Sequence, residues 1–230
     1  MNSTFYDAIT HALASERMEA YRQHDGAEAK VCLARYTWNM ALCETLYSPL
    51  QMAEVALRNA MHQALAARYG TEDWFSPAQD RLLSWQNEKI AEARQTLEGM
   101  GKPTNPGRII AELSFGFWTG FFNHKHARSG LGHYLVRGAF PHSPRDERSM
   151  ERMDLHWKRI RALRNRVFHH ERIVHFTDLD AQHTLILDVI GWIRPELRQL
   201  AAALDRFTAV RREGLNPWLA KLGHHWPHTA

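Results

Sequence analysis

Cysteine is scarce in this 230-residue chain, with only Cys32 and Cys43 present. Both fall in what reads as one helix, about 16 Å apart along its axis, which is beyond disulfide reach. A disulfide-stapled secreted fold is thereby excluded, and both thiols are expected to be buried, reduced and inert. Long apolar runs are missing too. The most apolar stretch, Leu113 to Phe122, is far shorter than the roughly 20 residues that span a bilayer. The first residues, MNSTFYDAITHALASERMEAYRQ, lack the basic start and apolar core of a signal peptide. The expected location is the cytoplasm, with no membrane partner. No clustered acidic triad occurs, and neither His124/His126 nor the His224, His225, His228 group comes with the cysteine or carboxylate pattern of a zinc site. No metal and no cofactor are therefore expected. Alternating strand patterns, long-period repeats and low-complexity segments are also lacking.

What is present is helical periodicity. The hydrophobic fraction of 44% is spread through interrupted, periodic segments, enough to bury the core of one all-helical domain or of two intimate halves. The fold class is all-α over residues 1–230, with an N-terminal helical arm to about residue 24 and a C-terminal tail from about 214. Helices are predicted from Thr4 to Tyr21, with Ser15 as an interior cap, and from Val31 to Tyr47. Ser48-Pro49 reads as an N-cap with proline at the first helical position, opening a new helix to Gly70. Ser76-Pro77 repeats that signal for a helix to about Leu97, closed by the loop GMGKPTNPG. An aromatic helix is predicted from Arg108 to Phe122, then a loop with one helical turn around His133 to Val136. A helix over Arg145 to His169 and two more broken at Pro195 complete the reading. The charge of +4 and pI near 9.2 are compatible with a nucleic-acid partner without being diagnostic.

The most informative stretch is LRNRVFHHE, Leu163 to Glu171. Met150, Met153, Trp157 and Ile160 recur at spacings of three and four, and the next positions of that core-facing stripe are Arg164 and Val167. A guanidinium cannot lose its proton, so at such a position it must meet a carboxylate, a carbonyl or a bound anion. At about 100° per residue, His169 lies roughly 140° around the helix from Arg164, and His170 roughly 120° the other way. Either the helix ends near Phe168 to Glu171 or a second copy of the chain supplies the missing group. An end is favoured, because RIVHFTDLD is rich in β-branched and turn-forming residues and carries Thr177 or Asp178 as the next N-cap.

Arg164-Asn165 followed by His169 and His170 resembles the motif of the HEPN superfamily. The segments YSPLQMAEVALRNAMHQALAARYGTEDWF, ELSFGFWTGFF and WIRPELRQL with LDRF are similar, in the same order, to blocks of Abi-like (AbiD/AbiF-type) abortive-infection proteins, so the resemblance spans roughly Met18 to Gly214. It implies a HEPN-like helical bundle, a homodimer with motifs facing across a cleft, and metal-independent endoribonuclease activity in phage defence or a toxin–antitoxin pair. Histidine would act as general base or acid, Arg164 would stabilise phosphorane charge, and Asn165 would position phosphate or histidine. His169 and His170 are alternatives for the motif role. A non-catalytic module that binds RNA, a nucleotide or a protein is the rival reading. Some HEPN toxins carry a tyrosine two positions after the motif histidine that an antitoxin modifies. Glu171 or Arg172 stands there, so that regulation is not implied.

A second polar group occurs in MAEVALRNAMHQAL, where Glu54, Arg58 and His62 line one helix face beside Asn59. Its bland explanation is a solvated stripe with a Glu-to-Arg pair worth a few tenths of a kcal/mol. Its functional one is substrate binding, with Glu54 or Arg58 near Arg164. The aromatics Phe115, Phe117, Trp118, Phe121 and Phe122 read as core in preference to an RNA-stacking or dimer surface, with Gly116 and Gly120 leaving a groove for another helix.

Overall fold

The computed structural model describes residues 3–22, 28–126 and 129–225. Among them there is no strand, and the chain is all-α. The helices are α1 (Ser3–Leu13), α2 (Ser15–Arg22), α3 (Ala29–Tyr69), α4 (Phe75–Ala78), α5 (Ser84–Gly99), α6 (Pro106–Glu112) and α7 (Phe115–Thr119). They continue as α8 (Leu131–Gly138), α9 (Met150–Phe168), α10 (Leu179–Ile193), α11 (Pro195–Ala203), α12 (Phe207–Glu213) and α13 (Asn216–His225). The backbone groups into two compact units, one comprising Met1–Tyr47, Arg164–His183 and Asp205–Ala230, the other Ser48–Leu163 and Thr184–Leu204.

The predicted boundary at Ser48-Pro49 is wrong, because α3 runs unbroken through Pro49. Proline there cannot donate to the Thr45 carbonyl and costs about 3 kcal/mol or more in a helix interior. The offset comes from packing. Leu42, Leu46, Leu50, Ala53, Leu57, Met61 and Leu65 form one buried stripe along α3, and burying each large apolar side chain is worth about 1.5–3 kcal/mol. Ending the helix at Ser48 would break that stripe.

In the first unit Tyr6, Met18, Cys32 and Leu33 form a buried cluster with Ile9, Leu13 and Tyr36 around it. The N-terminal helices therefore contribute to a core. They are two and not one, since Ala14 takes a φ of 70° between them. Within the stretch read as a tail after Gly214, α13 carries the chain to His225 and Leu222 packs on the same cluster. His228 lies outside the described residues. Cys32 and Cys43 are buried and unbridged.

The second unit is built on aromatics. Phe115, Phe117, Trp118, Phe121 and Phe122 are all buried, and Trp118 meets Trp74 edge-on at 6.3 Å. The predicted Arg108 to Phe122 helix is interrupted at Leu113-Ser114, where the Ser114 hydroxyl caps α7 by accepting from the Phe117 N–H. That break turns the aromatic segment away from the line of α6. A Cβ at Gly120 would lie 2.9 Å from the Trp85 ring, so the glycine groove serves internal packing. The helix predicted from Ser76 is split into α4, a 3-10 turn and α5, and the turn predicted near His133 is the full helix α8.

Candidate functional site

The motif residues sit at the end of α9, all in the first unit. Met150, Met153, Trp157, Ile160 and Val167 are buried as the stripe requires, while Arg164 is half-buried and Asn165, His169 and His170 are exposed. The Arg164 guanidinium carbon stands 4.5 Å over the Phe168 ring, one turn along, and Phe168 meets Tyr47 edge-on at 4.8 Å.

The helix ends as the sequence suggests, and its geometry identifies the device. Glu171 N–H donates to the Arg166 carbonyl at 2.8 Å and His170 N–H to the Val167 carbonyl at 3.2 Å, while His170 adopts a φ of 57°. This is a Schellman cap with histidine where glycine is usual. His169 keeps its helical position, its N–H donating to the Asn165 carbonyl at 2.8 Å, whereas the chain leaves its helical path at His170. The Arg17 guanidinium donates to the His170 carbonyl at 2.6 Å.

Sequence reasoning missed the residue that holds this turn. Asn39, 3% exposed in mid-α3, accepts from the Ile173 and Val174 N–H groups at 2.7 and 3.1 Å. Its amide donates to the Glu171 carbonyl at 3.3 Å. The signal was available, because Asn39 interrupts the Cys32, Cys43, Leu46 side of an apolar helix just as Arg164 interrupts its own.

Arginines of the first unit are engaged with backbone carbonyls and a carboxylate. Arg172 donates to the Ala20 carbonyl, Arg35 donates to the Tyr21 and Arg22 carbonyls, and Arg166 pairs with Glu171 at 2.8 Å. His175 is held below the ordinary histidine value, first by burial and then by the Arg172 and Arg166 charges. A cavity of about 200 Å³ opens beside the turn, lined by Tyr36, Asn39, Met40, Cys43, Tyr47 and His170. Burial pushes the Cys43 thiol up to about 11, so it is protonated at neutral pH and is no nucleophile there.

Glu54, Arg58, Asn59 and His62 belong to the second unit. The His62 Nδ1 accepts the Trp74 indole N–H at 3.0 Å, and burial, the larger influence, lowers its pKa against an opposing effect of Glu72. That bond gives His62 a structural task. Asn59 lines an open groove of about 440 Å³ with Gln63, Tyr134 and Arg194, while the Arg58 Nε is buried without a hydrogen bond.

Buried His–carboxylate pairs lie elsewhere. His183 Nε2 lies 2.8 Å from Asp205 and stacks on Phe207, and His156 lies 2.6 Å from Glu147. The Asp205 carboxylate also accepts from the Thr208 hydroxyl at 3.5 Å and from the Phe207 N–H at 3.3 Å, and Glu147 accepts from Arg152 at 2.6 Å. Comparison with family models, with curated proteins and with solved structures found no match to this chain.

Proposed function

We propose that the chain is a metal-independent endoribonuclease of the HEPN type, with Arg164, Asn165, His169 and His170 as its site, acting in phage defence or as a toxin, and working as a homodimer. The observation that carries this reading is that a half-buried arginine and two exposed histidines lie within the last two turns of one helix and its cap, with His170 lining a cavity and Arg166 and Arg172 close by in sequence. Cationic groups are what a phosphodiester and its phosphorane demand. A histidine ordinarily titrates near neutrality and so can take or give a proton there.

In the reaction the RNA 2′-oxygen attacks the neighbouring phosphorus as a base removes the 2′-hydroxyl proton. The phosphorus–5′-oxygen bond then breaks, with an acid protonating the departing oxygen. His169, exposed and clear of the cap, takes one of these roles, and His170 lines the cavity. Arg164 neutralises charge on the non-bridging oxygens, and Asn165 orients the phosphate.

The test is incubation of purified protein with mixed RNA in EDTA. Cleavage should persist and leave 2′,3′-cyclic phosphate or 3′-phosphate ends with 5′-hydroxyls. Products with 3′-hydroxyls, lost on chelation, would overturn the mechanism. RNA retained on the protein without cleavage would make the chain a binding module.

A further inference from the structure

Resting on the ribonuclease reading, we infer that the cavity beside His170 is a nucleobase pocket, which receives one unstacked base of a single-stranded RNA next to the scissile phosphate. Tyr36, Met40, Cys43 and Tyr47 follow one another at spacings of three and four and so share one face of α3, and His170 closes the cavity from the motif turn. A dry cavity of about 150 Å³ takes a benzene ring. The volume of about 200 Å³ here suits a single heteroaromatic ring system and leaves its sugar and phosphate outside.

The lining chemistry fits a base better than an aliphatic ligand. Tyrosine rings and a methionine thioether offer stacking and sulfur–aromatic contacts, whereas imidazole, phenol and thiol groups can meet the polar edge of a base. Met40 is 54% exposed at the lip, an apolar group without a covering side chain that a stacked base would shield. Asn39 contributes its position only, because its amide is engaged with residues 171, 173 and 174.

Charge sets the polarity of the occupant. No carboxylate lines the cavity. The two acids nearest in sequence to its lining are each paired to an arginine, Glu44 with Arg206 at 2.7 Å and Glu171 with Arg166 at 2.8 Å. Arg17 lies on the His170 carbonyl, and Arg172 and Arg166 act on His175, so the surroundings favour the phosphates attached to the base.

The experiment titrates the whole chain, labelled at its methionine methyl groups, with each of the four nucleoside 3′-monophosphates and follows the Met40 resonance by NMR. At least one nucleotide should shift that signal saturably, and Met40→Ala should weaken its binding roughly tenfold, as expected for loss of one stacking contact. If none of the four moves the Met40 signal, the pocket proposal is overturned, even if RNA is cleaved. If they bind there while RNA stays intact in EDTA, catalysis fails and the pocket stands.

Discussion

Replacing Asn39 by alanine removes the side chain that ties the motif turn to α3. The Oδ1 atom accepts from Ile173 N–H at 2.7 Å and from Val174 N–H at 3.1 Å, and the amide donates to the Glu171 carbonyl at 3.3 Å. Ile173 is fully buried, so its N–H would lose its partner with no water in reach, at about 1–3 kcal/mol. Val174 and Glu171 are more accessible, and water can replace part of what their backbone groups lose. The total is about 3 kcal/mol. At roughly 2–4 °C per kcal/mol for a chain of this size, Asn39→Ala should lower Tm by roughly 6–12 °C. Hydrogen exchange gives the local readout, because the Ile173 and Val174 amides should lose protection by more than the global destabilisation explains. Asn39→Asp keeps the acceptor and should retain protection at Ile173 while losing the bond to Glu171. A Tm within about 2 °C of the parent, with the Ile173 amide still protected, would refute the view that Asn39 holds the turn.

Arg164→Ala removes, among its interactions, a contact over the Phe168 ring worth about 0.5–1 kcal/mol; RNA cleavage should be lost while the variant still folds and melts cooperatively, and a variant that unfolds would mark Arg164 as a structural strut. His170→Gly relieves a left-handed conformation that costs a side-chain-bearing residue about 1 kcal/mol, so thermal denaturation should show an unchanged or slightly raised Tm together with weakened cleavage. A clear fall in Tm would mean that imidazole packing outweighs backbone strain. Acid stability has two windows. Burial lowers His126 from 6.5 to about 4, so its neutral form favours the fold above pH 6.5 and that contribution drains as pH falls toward 4, by roughly 2 kcal/mol at pH 5. The hydrogen bond from Arg152, with help from His156, holds Glu147 near 2 instead of 4.5, so its contribution is full above pH 4.5 and is lost on further acidification toward 2. Melting curves at pH 7 and pH 5 should therefore differ less for His126→Leu than for the parent, and equal differences would exclude His126 as the source.

The residue pattern alone determined that the chain is helical, that Met150, Met153, Trp157 and Ile160 face a core, that the motif helix ends near Phe168, and that GMGKPTNPG is a loop. Each follows from interactions within a turn or two of helix, where periodicity, capping and glycine or proline chemistry decide the outcome. Ser48-Pro49 shows the limit of such local rules. Its signal was sound for an isolated helix start, yet an unbroken buried stripe from Leu42 to Leu65 outweighed it, and a stripe has value only against packing partners. The interruption at Ser114 depends in the same way on aromatic rings that must turn into a core, and α13 on the cluster that receives Leu222. Within the site, the legible part was the order of arginine, asparagine and histidines. The left-handed cap at His170, the grip of Asn39 on residues more than 130 positions away, and the cavity between α3 and the motif turn were decided by tertiary structure, because each pairs groups that only folding brings together.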